Sequence, residues 1–249
     1  MASGFLYGKH TPTEKEPNGY RPFLVTNRHV FEGLDKVLVR FNPQEFNAPA
    51  EIYSLPLLNE KKEPIWIAHP DKNIDIAVVP ANTEQLDKAA IQWHLFRSNT
   101  CVANIKKMNE LGLMEGDFTY VLGFPMELIG EKRNIVIARS GTIARIRDVL
   151  TKNNDKFLID SFVFPGNSGG PVISKPEAFA IEKTKPQMSS YLIGIVTSYV
   201  PYEDVAISVQ TGRPRVIFQE NSGLAFVHPV DYIQETIDFA LKCEAKNKT

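Results

Sequence analysis

Short apolar and β-branched runs, broken every few positions by Gly, Pro or Asn, recur along most of this chain. They predict strands at residues 3–8, 22–26, 36–41, 50–54, 64–68 and 75–80. A second set is predicted at 118–123, 134–146, 156–161, 171–174, 191–199, 214–218 and 223–227. Residues 82–116, polar and weakly helical, read as the crossover between the sets. A clear helical period comes near the end, where Val230, Ile233, Ile237 and Leu241 follow Pro229, which suits the start of a helix. That predicts a C-terminal helix laid against the second set of strands. The stretch from Pro201 to Asn221 is polar around Arg213-Pro214-Arg215 and reads as a surface loop, either undistinguished or one that gates a site or receives a regulatory protein partner. The pattern is all-β, in two halves at 1–105 and 106–249.

Composition narrows the function classes. A chain of 249 residues, 43% hydrophobic, can bury one large or two modest cores. With 28 basic and 29 acidic residues, nothing favours nucleic acid or an anionic membrane surface. No run approaches the roughly 18 apolar residues that a membrane span needs. Residues 1–9 lack the basic-then-apolar pattern of a signal peptide, so a cytoplasmic location is expected. Cys101 and Cys243 make no disulfide framework. No His/Cys/Asp cluster has metal-ligand spacing and no glycine loop is built to cradle phosphate, so neither metal nor cofactor is expected.

The most informative segment is Phe164-Pro165-Gly166-Asn167-Ser168-Gly169-Gly170-Pro171. A serine with glycines on both sides can sit on a sharp turn with its hydroxyl exposed. The amides of Gly166 and Ser168 can then converge beside it, which is what an oxyanion hole next to a nucleophile requires. An ordinary Gly-rich turn uses the same residue types, so partners decide. Upstream, Phe23-Leu24-Val25-Thr26-Asn27-Arg28-His29 ends an apolar run in a histidine, and Asn73-Ile74-Asp75-Ile76-Ala77-Val78-Val79 puts an aspartate at the mouth of another. The order His29, Asp75, Ser168 is one of three known for serine hydrolases of different architecture. Asp71, in a Pro-Asp turn, is the weaker candidate for the acid, and Asp160 reads as a residue that lines or braces the site. His10, His69, His94 and His228 carry no matching motif and read as structural.

With those residues in view, the sequence resembles a trypsin-like serine peptidase of the chymotrypsin clan, closest to the bacterial HtrA/Deg branch. The segments that carry the resemblance are Ala2-Ser3-Gly4-Phe5-Leu6, Val25-Thr26-Asn27-Arg28-His29-Val30, Asp75-Ile76-Ala77-Val78, Gly166-Asn167-Ser168-Gly169-Gly170-Pro171, Gly194-Ile195-Val196-Thr197 and Gly223-Leu224-Ala225-Phe226. The resemblance implies a chymotrypsin-like double β-barrel with the site in the cleft between barrels. Departures are informative too. Asn167 stands where the animal digestive branch has the aspartate that pairs with a new N-terminus, so activation by propeptide cleavage is not expected. The PDZ module common in HtrA proteins is not expected.

The chemistry this implies is peptide-bond hydrolysis through an acyl-enzyme. Ser168 is the nucleophile, His29 its base, and Asp75 the group that orients the imidazole; Gly166 and Ser168 supply the oxyanion donors. By resemblance Phe162 floors the pocket for the residue before the cut, and Thr197, Ser198 and Tyr199 offer a strand edge to an extended substrate. With no acid between 161 and 168, cleavage after Val, Ala, Leu or similar side chains is expected. A preference for Arg or Lys would instead point to Asp160, Glu203 or Asp204. Two other readings stand beside this one: a protease-fold sensor or binding module, silent until a partner orders its site, and an esterase.

Overall fold

The computed structural model describes residues 1–14, 16–177, 186 and 188–247. The first half supplies β1 (Phe5–His10), β2 (Tyr20–Thr26), β3 (Lys36–Phe41), β4 (Glu51–Pro56), β5 (Ile67–Ala68), β6 (Ala77–Pro80), α1 (Thr83–Lys88) and β7 (Leu95–Arg97). The second half supplies α2 (Ile105–Leu111), β8 (Phe118–Gly123), β9 (Ile137–Arg145), α3 (Arg147–Leu150), β10 (Phe157–Asp160), β11 (Pro171–Ser174), β12 (Leu192–Ile207), β13 (Pro214–Pro229) and α4 (Val230–Asn247). The fold is chymotrypsin-like and mostly strand. Strands β10-β13-β12-β11-β8-β9 close a six-stranded barrel. In the first half the order β5-β6-β2-β1-β7 makes a five-stranded sheet, and β3 and β4 form a separate hairpin. Phe31, Leu57, Ala77 and Val79 are buried in one cluster, with Val37 of β3 and Leu24 of β2 packed against it. Side chains, more than a continuous ladder, draw that half together.

Strand β12 explains how the halves join. Its residues Leu192 to Thr197 are all buried, with no alternation, the pattern of a strand covered on both faces. Ile193 and Val196 belong to the barrel core with Val121, Phe157, Val172 and Val227. Leu192 and Ile195 belong instead to a core shared with Phe5, Tyr7, Phe23 and Val25 of the first sheet. The cleft therefore opens where β12 leaves this two-sided burial.

Helix α4 forms where its apolar spacing predicted, but its packing differs from the expectation. Val230, Ile233, Ile237 and Ala240 lie in the core shared with the first sheet, not against the second set of strands alone. The barrel already fills its own interior, whereas β1 and β2 have an uncovered apolar face that the helix stripe completes. Each fully buried Val or Ile contributes about 1.5–3 kcal/mol by leaving water. Polar contacts fix the register: Lys9 Nζ meets Asp238 at 2.6 Å, Arg21 pairs with Glu244, and Gln234 Nε2 donates to Tyr7 Oη at 2.9 Å.

The strand expected at 214–218 is present as the start of β13, but the loop expected over 201–221 is a correction. In place of a loop, β12 and β13 run on as a two-stranded arm, paired from Pro201↔Asn221 to Ile207↔Pro214. Val205 faces Ile217 and Ala206 faces Val216 across it. The β-branched pair Val205 and Ile217, with Val216 beside it, favours strand despite the polar composition of the segment. The arm leaves the barrel with residues 201–207 and 209–220 exposed. The crossover also carries structure missed in the sequence, since β7 pairs parallel with β1 at Leu6↔Leu95. Among the described residues, no helix is long and apolar enough to cross a membrane.

Candidate active site

His29 and Asp75 emerge from the same end of two paired strands. Strand β2 ends at Thr26, opposite Ala77 at the start of β6. His29 lies on a single turn of 3₁₀ helix, Arg28–Val30, directly after β2. Ile74 and Ile76, both buried, clamp Asp75 between them. Asp75 Oδ2 lies 2.8 Å from His29 Nδ1, and Asp75 Oδ1 accepts the His29 backbone N–H at 3.1 Å. The aspartate is itself held from behind. Asn27 Nδ2 donates to its carbonyl at 2.7 Å, and its backbone N–H donates to His228 Nε2 at 3.1 Å.

This arrangement tunes both groups. The hydrogen bond to Asp75 raises the His29 pKa above its ordinary value, although partial burial works against it. Burial pushes the Asp75 carboxyl up, but hydrogen bonds from the His29 ring and backbone outweigh it, and the net shift is downward. Asp71 is turned elsewhere: its carboxylate accepts the Asn73 N–H, while Arg28 ties down the carbonyls of His69, Asp71 and Lys72. Asp160 is exposed at the end of β10 and lines no part of the cleft.

Ser168 sits across the cleft from His29, on the turn between β10 and β11, and its hydroxyl donates to the Thr197 carbonyl at 3.4 Å. The backbone around it is fixed by bonds that also set the direction of two amides. The Pro165 carbonyl accepts from Met126 N at 2.7 Å, so in a trans peptide the Gly166 N–H points the opposite way. The Asn167 carbonyl accepts from Gly170 N at 2.8 Å, which aims the Ser168 N–H likewise away from the loop. Among the described residues neither N–H donates to any group. Gly166 has φ +102, and a Cβ there would lie 2.2 Å from the Phe124 carbonyl oxygen, so only glycine fits.

A brace that the sequence did not reveal holds this loop from below. Ser3 N–H donates to the Ser168 carbonyl at 2.8 Å, and Ser3 Oγ donates to the Gly166 carbonyl at 2.6 Å. Ser3 Oγ also accepts from Phe124 N at 3.1 Å, and Thr26 Oγ1 donates to the Ser3 carbonyl at 2.8 Å. Buried Asn167, in the place of the digestive branch's aspartate, accepts the Phe164 N–H through Oδ1 at 3.0 Å.

A family model described as a trypsin-like peptidase domain matches residues 2–178. The chain belongs to that family. No curated protein matches it. The match takes in His29, Asp75 and the whole Ser168 loop, together with Ser3 and the strands that carry them. Beyond it lie β12, β13 and α4.

In this trypsin-like peptidase the cleft is lined by Met1, His29, Asp75, Lys156, Val163 to Gly166, Ser168 and Val196 to Tyr199. Thr197, Ser198 and Tyr199 thus line the cleft, but Phe162 does not. Its ring is 49% exposed, stacks on Phe164 and packs against Gly223. The reason is alternation after β10: Ser161 and Val163 turn inward and are buried, which sends Phe162 out. Ser3, His228 and Lys156 were missed as contributors. Ser3 had a signal in the Ala2-Ser3-Gly4-Phe5 segment; His228 and Lys156 had none, because their roles depend on contacts far apart in the chain.

Proposed function

We propose that the chain is a serine endopeptidase working through His29, Asp75 and Ser168. The observation that carries this reading is the 2.8 Å contact of the Asp75 carboxylate with His29 Nδ1, in one cleft with the Ser168 hydroxyl and two unengaged amides. Nδ1–H of His29 donates to Asp75, which leaves Nε2 as the base. The Ser168 hydroxyl, now resting on the Thr197 carbonyl, turns to Nε2 when substrate arrives. It attacks the peptide carbonyl carbon, and its proton passes to His29. The negative oxygen that develops is received by Gly166 and Ser168 N–H, one such donor typically contributing 10²–10³ in rate. His29 then gives its proton to the departing amine, and water repeats the cycle on the acyl-enzyme.

For specificity, the buried Val163 and Val196 and the ring of Tyr199 support small or medium apolar side chains before the cut. Selectivity there is modest, since one methylene discriminates by about 1–3 kcal/mol. A module that waits for a partner to order its oxyanion loop is less well supported, because the loop is already braced by Ser3 with both amides turned outward. The test is labelling by a serine-reactive fluorophosphonate with mass-spectrometric mapping of the adduct. The adduct is expected on Ser168 and absent from Ser168→Ala. A folded wild-type protein that takes no label would overturn the proposal.

A further inference from the structure

We infer that Lys156 makes the cleft selective for peptides carrying an acidic side chain two or four residues before the cut, counting the residue whose carbonyl is attacked as the first. The inference rests on the peptidase reading. Lys156 precedes β10, is half-buried and lines the cleft together with His29, Asp75 and Ser198. Its Nζ lies 5.9 Å from the centroid of the Phe226 ring. Phe226 is the cross-strand neighbour of Ser198, whose small, exposed side chain leaves the ammonium open to the cleft.

The charge there has no carboxylate partner. Among the described residues no acid comes within ion-pair distance of Lys156, whereas other lysines and arginines near the barrel do find one, as Arg147 does in Glu115. Asp75, which also lines the cleft, already serves the His29 ring and backbone. Asp155, the preceding residue, engages His228 through its carbonyl. An ammonium resting on an aromatic face is partly dehydrated and held in place. It is thus prepared to take a carboxylate from a ligand at low cost in side-chain entropy.

Strand geometry then says which substrate residue arrives. A peptide added along Thr197–Tyr199 alternates its side chains between two faces. The first residue enters the recess of Val163 and Val196. The second faces the opposite way, toward His29, Ser198 and Lys156, and so does the fourth.

The experiment measures kcat/KM of the full chain on peptides with Asp, Glu, Asn, Gln, Lys or Arg at each of the four positions before the cut. Wild type is expected to favour the acid over its amide about three- to tenfold at the second or fourth position, largely through KM. Lys156→Met, which keeps the stem over Phe226, should lose that preference, and Lys156→Glu should reverse it toward Lys or Arg. No acidic preference in wild type, or one that persists in Lys156→Met, overturns the inference. Fluorophosphonate labelling of Ser168 in wild type reports on the peptidase reading independently of Lys156. Absence of label in wild type would instead refute the peptidase reading, and this inference with it.

Discussion

The backbone N–H of Asp75 donates to Nε2 of His228 at 3.1 Å, while His228 Nδ1 meets the Asp155 carbonyl at 2.9 Å. The imidazole can satisfy both only when neutral, with its proton on Nδ1. Burial supports that state by pushing the His228 pKa down. A fully buried ring from the end of β13 thus fixes the height of Asp75 in the cleft. His228→Ala leaves a buried N–H and a buried C=O unpaired, at about 1–3 kcal/mol each. The expected result is a lower Tm and a loss in kcat, with KM little changed. His228→Gln, which offers an acceptor and a donor, should recover part of both; equal damage from the two variants would refute the positioning role.

His29 must be neutral to accept a proton from Ser168. Because Asp75 raises its pKa, the acid limb of kcat/KM should fall at a midpoint above the ordinary histidine value of about 6.5. Activity rises as pH climbs through that midpoint. Asp75→Asn should move the midpoint down and reduce turnover on the order of 10⁴. Asp71→Asn should change neither, since among the described residues its carboxylate accepts only the Asn73 amide. Steady-state rates across pH check all three proteins.

Gly166→Ala should act on chemistry more than on the fold. Its new Cβ meets the Phe124 carbonyl and displaces the loop, with a loss of roughly 10²–10³ in rate if one oxyanion donor is removed. Gly33 is the control. It also has positive φ, at +74, but a Cβ there meets nothing within 4 Å. Gly33→Ala should cost about 1–2 kcal/mol of backbone strain and no activity. Parallel measurement of labelling rate and unfolding separates the two effects.

Replacing residues 202–219 by a short turn tests the arm. Its residues from 209 on are exposed, and none of its side chains joins a buried cluster. Such a deletion should leave the midpoint of thermal unfolding within a few degrees of wild type, and hydrolysis of a short peptide unchanged. A large fall in stability would mean the arm packs where it is exposed in this structure.

Much of this was legible in the sequence because it is local. Strand runs such as Phe118–Gly123 and Lys36–Phe41 declare themselves by residue type, and the glycines around Ser168 declare a turn whose direction of approach they permit. What escaped was tertiary. Val205 and Ile217 look unremarkable until they face each other across the arm. The side from which α4 is buried depends on which sheet still has an open face. The outward turn of Phe162 is set by where β10 stops, and a boundary of one residue reverses the whole pocket assignment.

The brace from Ser3 to Gly166 spans 163 positions of chain. Topology of that kind delays assembly, because the entropy of closing a long loop is paid before the contact returns anything. A ribosome emits Ser3 first and the Ser168 turn more than a hundred residues later, with α4, which completes the core under β1 and β2, later still. A nascent chain that has not yet reached the Ser168 turn and α4 therefore lacks a finished cleft. On the proposed function, an enzyme that degrades proteins gains hydrolytic competence only after the residues that brace its cleft have all been made.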